Sequence, residues 1–362
     1  MAQNKKLIIF IPSIEDGGVE KNLFILLNYL EKKIKNITLL TYRKPKIKLK
    51  KNIKIISPSI NFLNFRGRYP KYILCLMVLF KILLFDKKNT VLSFQANIFC
   101  IALCILLKIK IISRSNSSSA GWSQNKIKQL IFKYYFPKAD KIIVNSLKFK
   151  NEMDKKYKIK TNCILNPFEF KKIKKLANEK CENVFKKKKL KLISIGRLAK
   201  QKDFMTLIKA IKNCQRQNVQ LIIIGKGSEE FKLKRFVIEN NLSEKIKFLG
   251  YKKNPFKYVK QADIFILTSK FEGSPNVLVE AQYLKKYIIS TNCPTGPKEI
   301  LNNGKYGSLV RVGDHKSIAK ILQNYIYSKP IKKEIKHGYL NTKKYDYKIA
   351  CKKYFDLIQR YI

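Results

Sequence analysis

Histidine is almost absent: His315 and His337 are the only two in 362 residues. That scarcity excludes a histidine-rich metal site and a catalytic histidine in the first half of the chain. Acidic residues are also few, 24 against 77 Lys and Arg, which leaves a net charge of +53. Glycine at 14 and proline at 11 are too sparse for a collagen-like or linker-like chain. The longest apolar runs, Tyr72–Phe80 and Ile98–Leu107, fall short of the roughly 18 residues that a spanning helix needs. The opening run Leu7–Ile11 stops at Pro12, too early for an export segment, and reads as a first strand. The eight cysteines form no C-x-x-C pair and fit neither a zinc site nor a small disulfide scaffold. Most lie in apolar runs as small hydrophobes, which suits a reduced, cytoplasmic setting.

Apolar residues make up 46% of the chain, enough for a folded globular protein. At about 150 residues per domain, the length suggests two domains. The positive charge is mostly lysine, with Arg supplying nine of the 77 cations. Lys, Ile and Asn are over-used together, so much of this is compositional drift. A surplus of this size still favours anionic partners and makes binding salt-sensitive. The cations are spread along the whole chain and no RNA- or DNA-binding motif accompanies them, so no nucleic-acid partner is expected.

Short apolar runs alternate with longer amphipathic ones. Strands are expected at Leu7–Ile11, Ile37–Thr41, Ile53–Ile56, Val91–Phe94, Ile109–Ser113, Lys141–Asn145 and Asn162–Leu165, with helices at 19–33, 71–85, 97–107, 124–136 and 147–157. The pattern breaks in the Lys-rich stretch 171–189. It restarts with Leu190–Ile195, Val219–Ile224, Ile246–Leu249, Ile264–Leu267, Tyr287–Ser290 and Leu309–Val312. This predicts an α/β protein of two doubly wound, Rossmann-like domains facing across a cleft. The expected division is 1–170, a connector at 171–189, 190–337, and a last helix at 338–362 packing back toward the first domain. Tyr345, Ile349, Tyr354, Leu357 and Ile358 would form its buried face. Ligands of such sheets bind beyond the carboxyl ends of the strands, so site residues should follow strands.

Two segments carry the chemistry. Leu190–Ile195 runs into Gly196-Arg197-Leu198-Ala199-Lys200-Gln201-Lys202-Asp203, with Asp203 as an expected helix N-cap. Two cations at a strand end beside a helix start make a trap for phosphate. Ile264–Leu267 runs into Thr268–Glu272, Gly273-Ser274-Pro275-Asn276-Val277 and Glu280, with Ser274 as the expected N-cap and Pro275 in the first turn. Taken singly, Arg197 and Lys202 read as solvated cations, Glu272 as a turn residue and Glu280 as a surface helical carboxylate.

Together these segments resemble the retaining nucleotide-sugar glycosyltransferases of glycosyltransferase family 4, of the kind used in bacterial cell-surface glycan assembly. The Glu-x7-Glu spacing of Glu272 and Glu280 is similar to that family's signature. So are Gly196-Arg197-Leu198 with Lys202-Asp203, Gly225-Lys226-Gly227-Ser228-Glu229, the segment from Cys293 to Leu301, and Gly17-Gly18-Val19-Glu20. The resemblance is sharp over 190–314 and weaker over 1–170. It implies the two-Rossmann GT-B fold and a transfer without metal from a nucleotide sugar, with UDP the expected nucleotide. Arg197 and Lys202 would neutralise the leaving diphosphate, Glu272 would hold the donor sugar's hydroxyls, and Glu280 the ribose. Gly17, Gly18, Gly196, Gly225, Gly273, Ser274, Asn276 and Val277 would line the donor, and Tyr251 would border the base.

The family's first-domain histidine is missing here. Ser93, Gln95, Asn97, Arg114 and Asn116, all close after strands, are the candidates on the acceptor side. The implied acceptor is a glycan or lipid-linked glycan, reached from the cytoplasmic side of an anionic membrane surface. Segments 71–85 and 97–107 read either as core helices or as interfacial ones flanked by the basic runs Lys44–Lys54 and Arg66–Arg68. A GT-B-type nucleotide-sugar epimerase is the alternative enzyme on the same fold.

Overall fold

The computed structural model describes residues 6–14, 17–45, 49, 52–59, 67–116 and 125–362. Lys46, Lys48, Lys50, Lys51 and Arg66 of the expected basic runs lie outside them. The chain divides into two compact units, one of residues 1–168 with 347–362 and the other of 169–346.

The first unit contains β1 (Lys6–Phe10), α1 (Gly18–Leu30), β2 (Ile37–Leu40), β3 (Ile53–Ile56), α2 (Arg68–Phe85), β4 (Asn89–Ser93) and α3 (Asn97–Leu106). It continues with β5 (Lys110–Arg114), α4 (Lys126–Tyr135), β6 (Lys141–Val144), α5 (Leu147–Tyr157) and β7 (Asn162–Cys163). The second unit contains α6 (Phe170–Ala177), β8 (Leu190–Ile195), α7 (Phe204–Asn213), β9 (Val219–Ile224), α8 (Glu230–Glu239), β10 (Ile246–Phe248) and α9 (Phe256–Gln261). There follow β11 (Ile264–Leu267), α10 (Asn276–Tyr283), β12 (Tyr287–Thr291), α11 (Pro297–Ile300), β13 (Ser308–Val310), α12 (His315–Gln323) and α13 (Lys329–Asn341). The last helix, α14 (Tyr347–Ile358), belongs to the first unit.

All strand pairs are parallel, in the orders β3-β2-β1-β4-β5-β6-β7 and β10-β9-β8-β11-β12-β13. Parallel strands buried on both faces read as unbroken apolar runs, and β9 and β11 are buried along their full length. In β1 the two-residue period sorts the side chains. Leu7 and Ile9 join the core with α1 and α14, and Ile8 and Phe10 join the core with α2, α3 and α5.

Three details differ from the sequence reading. The stretch 171–189 is no bare connector: α6 opens it and packs against α9 within the second unit. The return to the first unit begins at Tyr347, whose amide donates to Phe168 O at 3.1 Å, so residues 338–346 belong to the second unit. The buried face of α14 is Ala350, Cys351, Tyr354, Leu357 and Ile358, whereas Ile349 is exposed and Tyr345 is buried in a 3-10 turn before the helix. All eight cysteines are free thiols, six of them buried. Among the described residues no helix is long and apolar enough to cross a membrane.

Candidate functional site

In the second unit, β8 lies between β9 and β11, so the connections leaving β8 and β11 depart to opposite sides. Such a switch point opens a crevice beyond the carboxyl ends of the two strands. The Gly196–Asp203 and Thr268–Pro275 segments meet there. Lys270 N donates to Gln201 O at 2.8 Å, Gln201 Nε2 to Phe271 O at 2.9 Å, and Thr268 Oγ1 to Lys202 O at 3.2 Å.

Those bonds bring Lys202 and Glu272 together. Lys202 Nζ donates to Glu272 Oε1 at 2.5 Å, and Ser269 Oγ donates to the same oxygen at 2.6 Å. The Glu272 side chain is 8% exposed and that of Lys202 is 20% exposed. Glu272 is therefore a buried, paired carboxylate and not a solvated turn residue. Thr295 Oγ1 donates to its carbonyl oxygen, and Thr291 Oγ1 donates to Ser269 O at 2.6 Å, which ties in the loop after β12. Cys293, buried in that loop, has its thiol pushed up to about 12, first by burial and then by the charge of Glu272.

Glu280, on the second turn of α10, is 7% exposed, which overturns the surface reading of that residue taken singly. The helix begins at Asn276 behind Pro275, which holds the N-cap position expected of Ser274. Asp203 does occupy the N-cap position of α7, but its carboxylate accepts from Thr206 Oγ1 at 2.8 Å and makes no bond to the helix backbone. Arg197 is exposed, Gly273 is buried, and Ser274, Asn276 and Val277 are half-buried.

The glycines explain how the loops fit together. A Cβ on Gly225 would sit 1.8 Å from Gly196 O, and one on Gly227 would sit 2.3 Å from Leu198 O. Only with both side chains absent can Leu198 N reach Lys226 O at 2.9 Å, and Glu229 N reach Leu198 O at 2.9 Å. Gly196 and Gly225 are thus joined in one seam, and Gly225 N extends it to Gly250 O at 2.9 Å. Tyr251, next along, is 51% exposed. On the other side, Gly296 packs against Gly273 and Pro275, where a Cβ would come within 2.7 Å of Gly273 O.

The first unit has its own switch point, between β1 and β4. Gln95 spans it: its side chain accepts from Ser13 N at 2.9 Å and donates to Ser13 O at 2.8 Å. Ser93 Oγ donates to Asn97 Oδ1 at 3.1 Å, Asn97 Nδ2 to Arg114 O at 2.8 Å, and Asn116 Nδ2 to Phe94 O at 3.0 Å. Ser93, Asn97 and Arg114 are therefore chained together, while Asn116 is held to Phe94 and Gln95 to Ser13. Arg114, only 1% exposed, donates to Asn166 Oδ1 at 2.6 Å and lies over the rings of Phe94 and Tyr354. Its guanidinium faces the interior as a brace between Asn166 and the two rings. Gly17 is the N-cap of α1, with Gly18 its first residue.

Sequence reasoning missed Ser269, Thr291 and Thr295 as the polar partners of this site. Ser269 was within reach, three residues before Glu272. The threonines were not, because their bonds cross 22 and 23 residues between neighbouring strand ends. Among the described residues no group of three or more His, Cys, Asp or Glu is gathered as a metal site.

Residues 177–338 match the family described as Glycosyl transferases group 1. An uncharacterized glycosyltransferase of Methanocaldococcus jannaschii is 30% identical over 314 residues, 73% of this chain and 77% of that protein. The N-acetylgalactosamine-N,N'-diacetylbacillosaminyl-diphospho-undecaprenol 4-alpha-N-acetylgalactosaminyltransferase of Campylobacter jejuni is 27% identical over 234 residues, 63% of each chain. Among solved structures, Anabaena HepE in complex with UDP-glucose superposes with a TM-score of 0.77 at 16% identity, covering 98% of this chain and 100% of that one. That likeness concerns the fold, two parallel-sheet Rossmann-like units.

Proposed function

The chain belongs to the group 1 glycosyltransferases, and from that premise we propose that it moves a sugar, with retention of configuration, from UDP to a glycan or lipid-linked acceptor in cell-surface polysaccharide assembly. The observation that carries this reading is the ion pair of half-buried Lys202 with buried Glu272 at the switch point of the second unit, with Glu280 buried on the following helix.

The roles follow from charge and reach. Departure of a nucleoside diphosphate builds negative charge on its phosphates. Arg197 and Lys202 are the cations at the strand end that would receive it, and such preorganised stabilisation is usually the largest catalytic contribution. Lys202 would then exchange Glu272 for phosphate, leaving the carboxylate to accept from the sugar's hydroxyls. Glu280 would accept from the ribose, and the backbone amides of Gly273–Val277 would face the sugar and phosphate. With two cations serving the diphosphate, the reaction needs no metal. Retention would proceed by front-face attack, with the diphosphate taking the acceptor's proton.

The donor in the HepE complex is UDP-glucose, and the Campylobacter jejuni enzyme's name specifies a diphospho-undecaprenol acceptor. Both support a UDP-linked donor and a lipid-linked acceptor here. The work would take place at the cytoplasmic face of a membrane.

The test is thermal unfolding with UDP, GDP, ADP and dTDP at fixed salt, on wild type and Glu280→Gln. A ligand at about 100 times its Kd adds roughly 2.7 kcal/mol. UDP is expected to raise the midpoint alone, and Glu280→Gln to abolish the rise. Equal shifts with all four nucleotides, erased by salt, would reduce the effect to a cationic surface. Conversion of a UDP-sugar without any acceptor would turn the reading to an epimerase.

A further inference from the structure

The apolar helices of the first unit are only partly core. α2 buries Cys75, Leu79 and Leu83 against the sheet, while Ile73, Met77 and Leu84 stand exposed on its other side. At 3.6 residues per turn these three fall within about 40° of arc, a continuous outward stripe. α3, which carries no charged residue, leaves Leu106 73% exposed. α4 has no buried residue at all, and exposes Leu130 and Tyr134 one turn apart. α3 touches both α2 and α4, so the exposed side chains belong to neighbouring helices on one face of the sheet. Exposed apolar side chains gathered on three adjacent helices, and not scattered singly, mark a surface that meets a partner.

Charge says what covers it. Lys81 of α2 and Lys126, Lys128 and Lys133 of α4 are all exposed. Between residues 57 and 139 the sequence holds one acidic residue, Asp86, and it is paired to Lys6 at 2.7 Å. A second copy of this chain would bring the same cations against themselves, on a molecule already at +53. An anionic lipid surface meets both demands at once. It offers phosphates to the lysines and acyl chains to the apolar stripe.

We propose that the exposed face of α2, α3 and α4 beds into an anionic bilayer, with Lys81, Lys126, Lys128 and Lys133 at the level of the headgroup phosphates. This deepens the lipid-linked acceptor reading above and rests on it for its purpose. It turns the two alternatives for segments 71–85 and 97–107 into one answer: each helix is core on one side and interfacial on the other.

The experiment is co-sedimentation of the full chain with phosphatidylcholine vesicles, with and without phosphatidylglycerol, at low and high salt. Wild type is expected to pellet with the anionic vesicles and to retain part of its binding at high salt, because apolar insertion is not screened. The double variant Met77→Glu/Leu130→Glu should bind at least about tenfold more weakly, since two apolar anchors are lost. Phe231→Glu, at a still more exposed position on α8 of the second unit, should bind like wild type. Equal binding by the double variant and wild type overturns the proposal, as general cationic attraction would then suffice. So does a failure of wild type to bind. So does a concentration-dependent dimer in sedimentation velocity that the double variant abolishes. The UDP-induced rise in midpoint, measured on the same variants, stays independent. Its loss in wild type speaks against the transferase reading, and its survival in the double variant shows an intact fold.

Discussion

Lys202 Nζ lies 2.5 Å from Glu272 Oε1, and the two residues are 70 positions apart in the chain. Removing either end is not equivalent. Lys202→Ala leaves a buried carboxylate with only Ser269 as a side-chain donor, and should cost about 2 kcal/mol, less than a fully buried pair because Lys202 keeps some water. Glu272→Gln keeps an acceptor for Ser269 and frees a lysine that can rehydrate, so it should cost about 1 kcal/mol or less. In ligand binding the order reverses. Lys202→Ala should lose the UDP-induced rise in midpoint, whereas Glu272→Gln should bind UDP at least as well as wild type and lose sugar transfer. Weaker UDP binding by Glu272→Gln would falsify the exchange of Glu272 for phosphate.

The seam between the strand-end loops makes a prediction about three glycines. Gly225→Ala places a Cβ 1.8 Å from a backbone oxygen at a φ of +152°, and Gly227→Ala meets Leu198 O at 2.3 Å. Neither obstacle is a flexible side chain, so each substitution should cost about 3 kcal/mol or more. Gly196→Ala meets only the Lys202 side chain at 3.6 Å, an ordinary contact, and should stay within about 1 kcal/mol of wild type. Thermal unfolding of the three variants checks the ranking.

Arg114 is predicted to serve stability. Arg114→Ala should remove the buried hydrogen bond to Asn166 and the cation over the rings of Phe94 and Tyr354, at a cost of about 3 kcal/mol. A variant with unchanged unfolding midpoint and reduced transfer would return Arg114 to the acceptor side.

Lys286 gives a pH dependence. Its ammonium donates to Lys260 O at 2.8 Å and Ala262 O at 2.7 Å, yet burial pushes its pKa down to about 8. An unfolded lysine titrates near about 10.4. Between these values the unfolded chain binds more protons, so this residue's contribution to stability should rise with pH and be flat below about pH 8. The difference in midpoint between wild type and Lys286→Met, followed from pH 7 to about pH 9.5, isolates it. Above about pH 10 the buried Tyr287 and Tyr325, whose pKa values are raised by burial, act with the opposite sign.

Much of this protein is legible in its sequence. Parallel strands covered on both faces must be apolar along their length, so runs such as Val219–Ile224 and Ile264–Leu267 announce themselves without context. The breaks after them carry the glycines, prolines and charged residues of turns and helix starts, which is why Gly225, Pro275, Lys202 and Glu272 could be singled out. These are short-range signals, and they settled the α/β class and the repetition of the pattern in two halves, and marked the segments proposed to hold the site.

What they could not determine is which segments meet. Lys202 and Glu272 come together because β11 inserts beside β8 instead of following β10, a choice made by strand order. The same limit hid Thr291 and Thr295 behind Glu272, turned Arg114 inward, and brought α14 back to the first unit. It also left the apolar helices undecided, because a run like that of α2 looks the same whether both of its sides are covered or one. Only the packed arrangement of sheets and helices sets which side chains remain in water, since that depends on contacts distant in the chain.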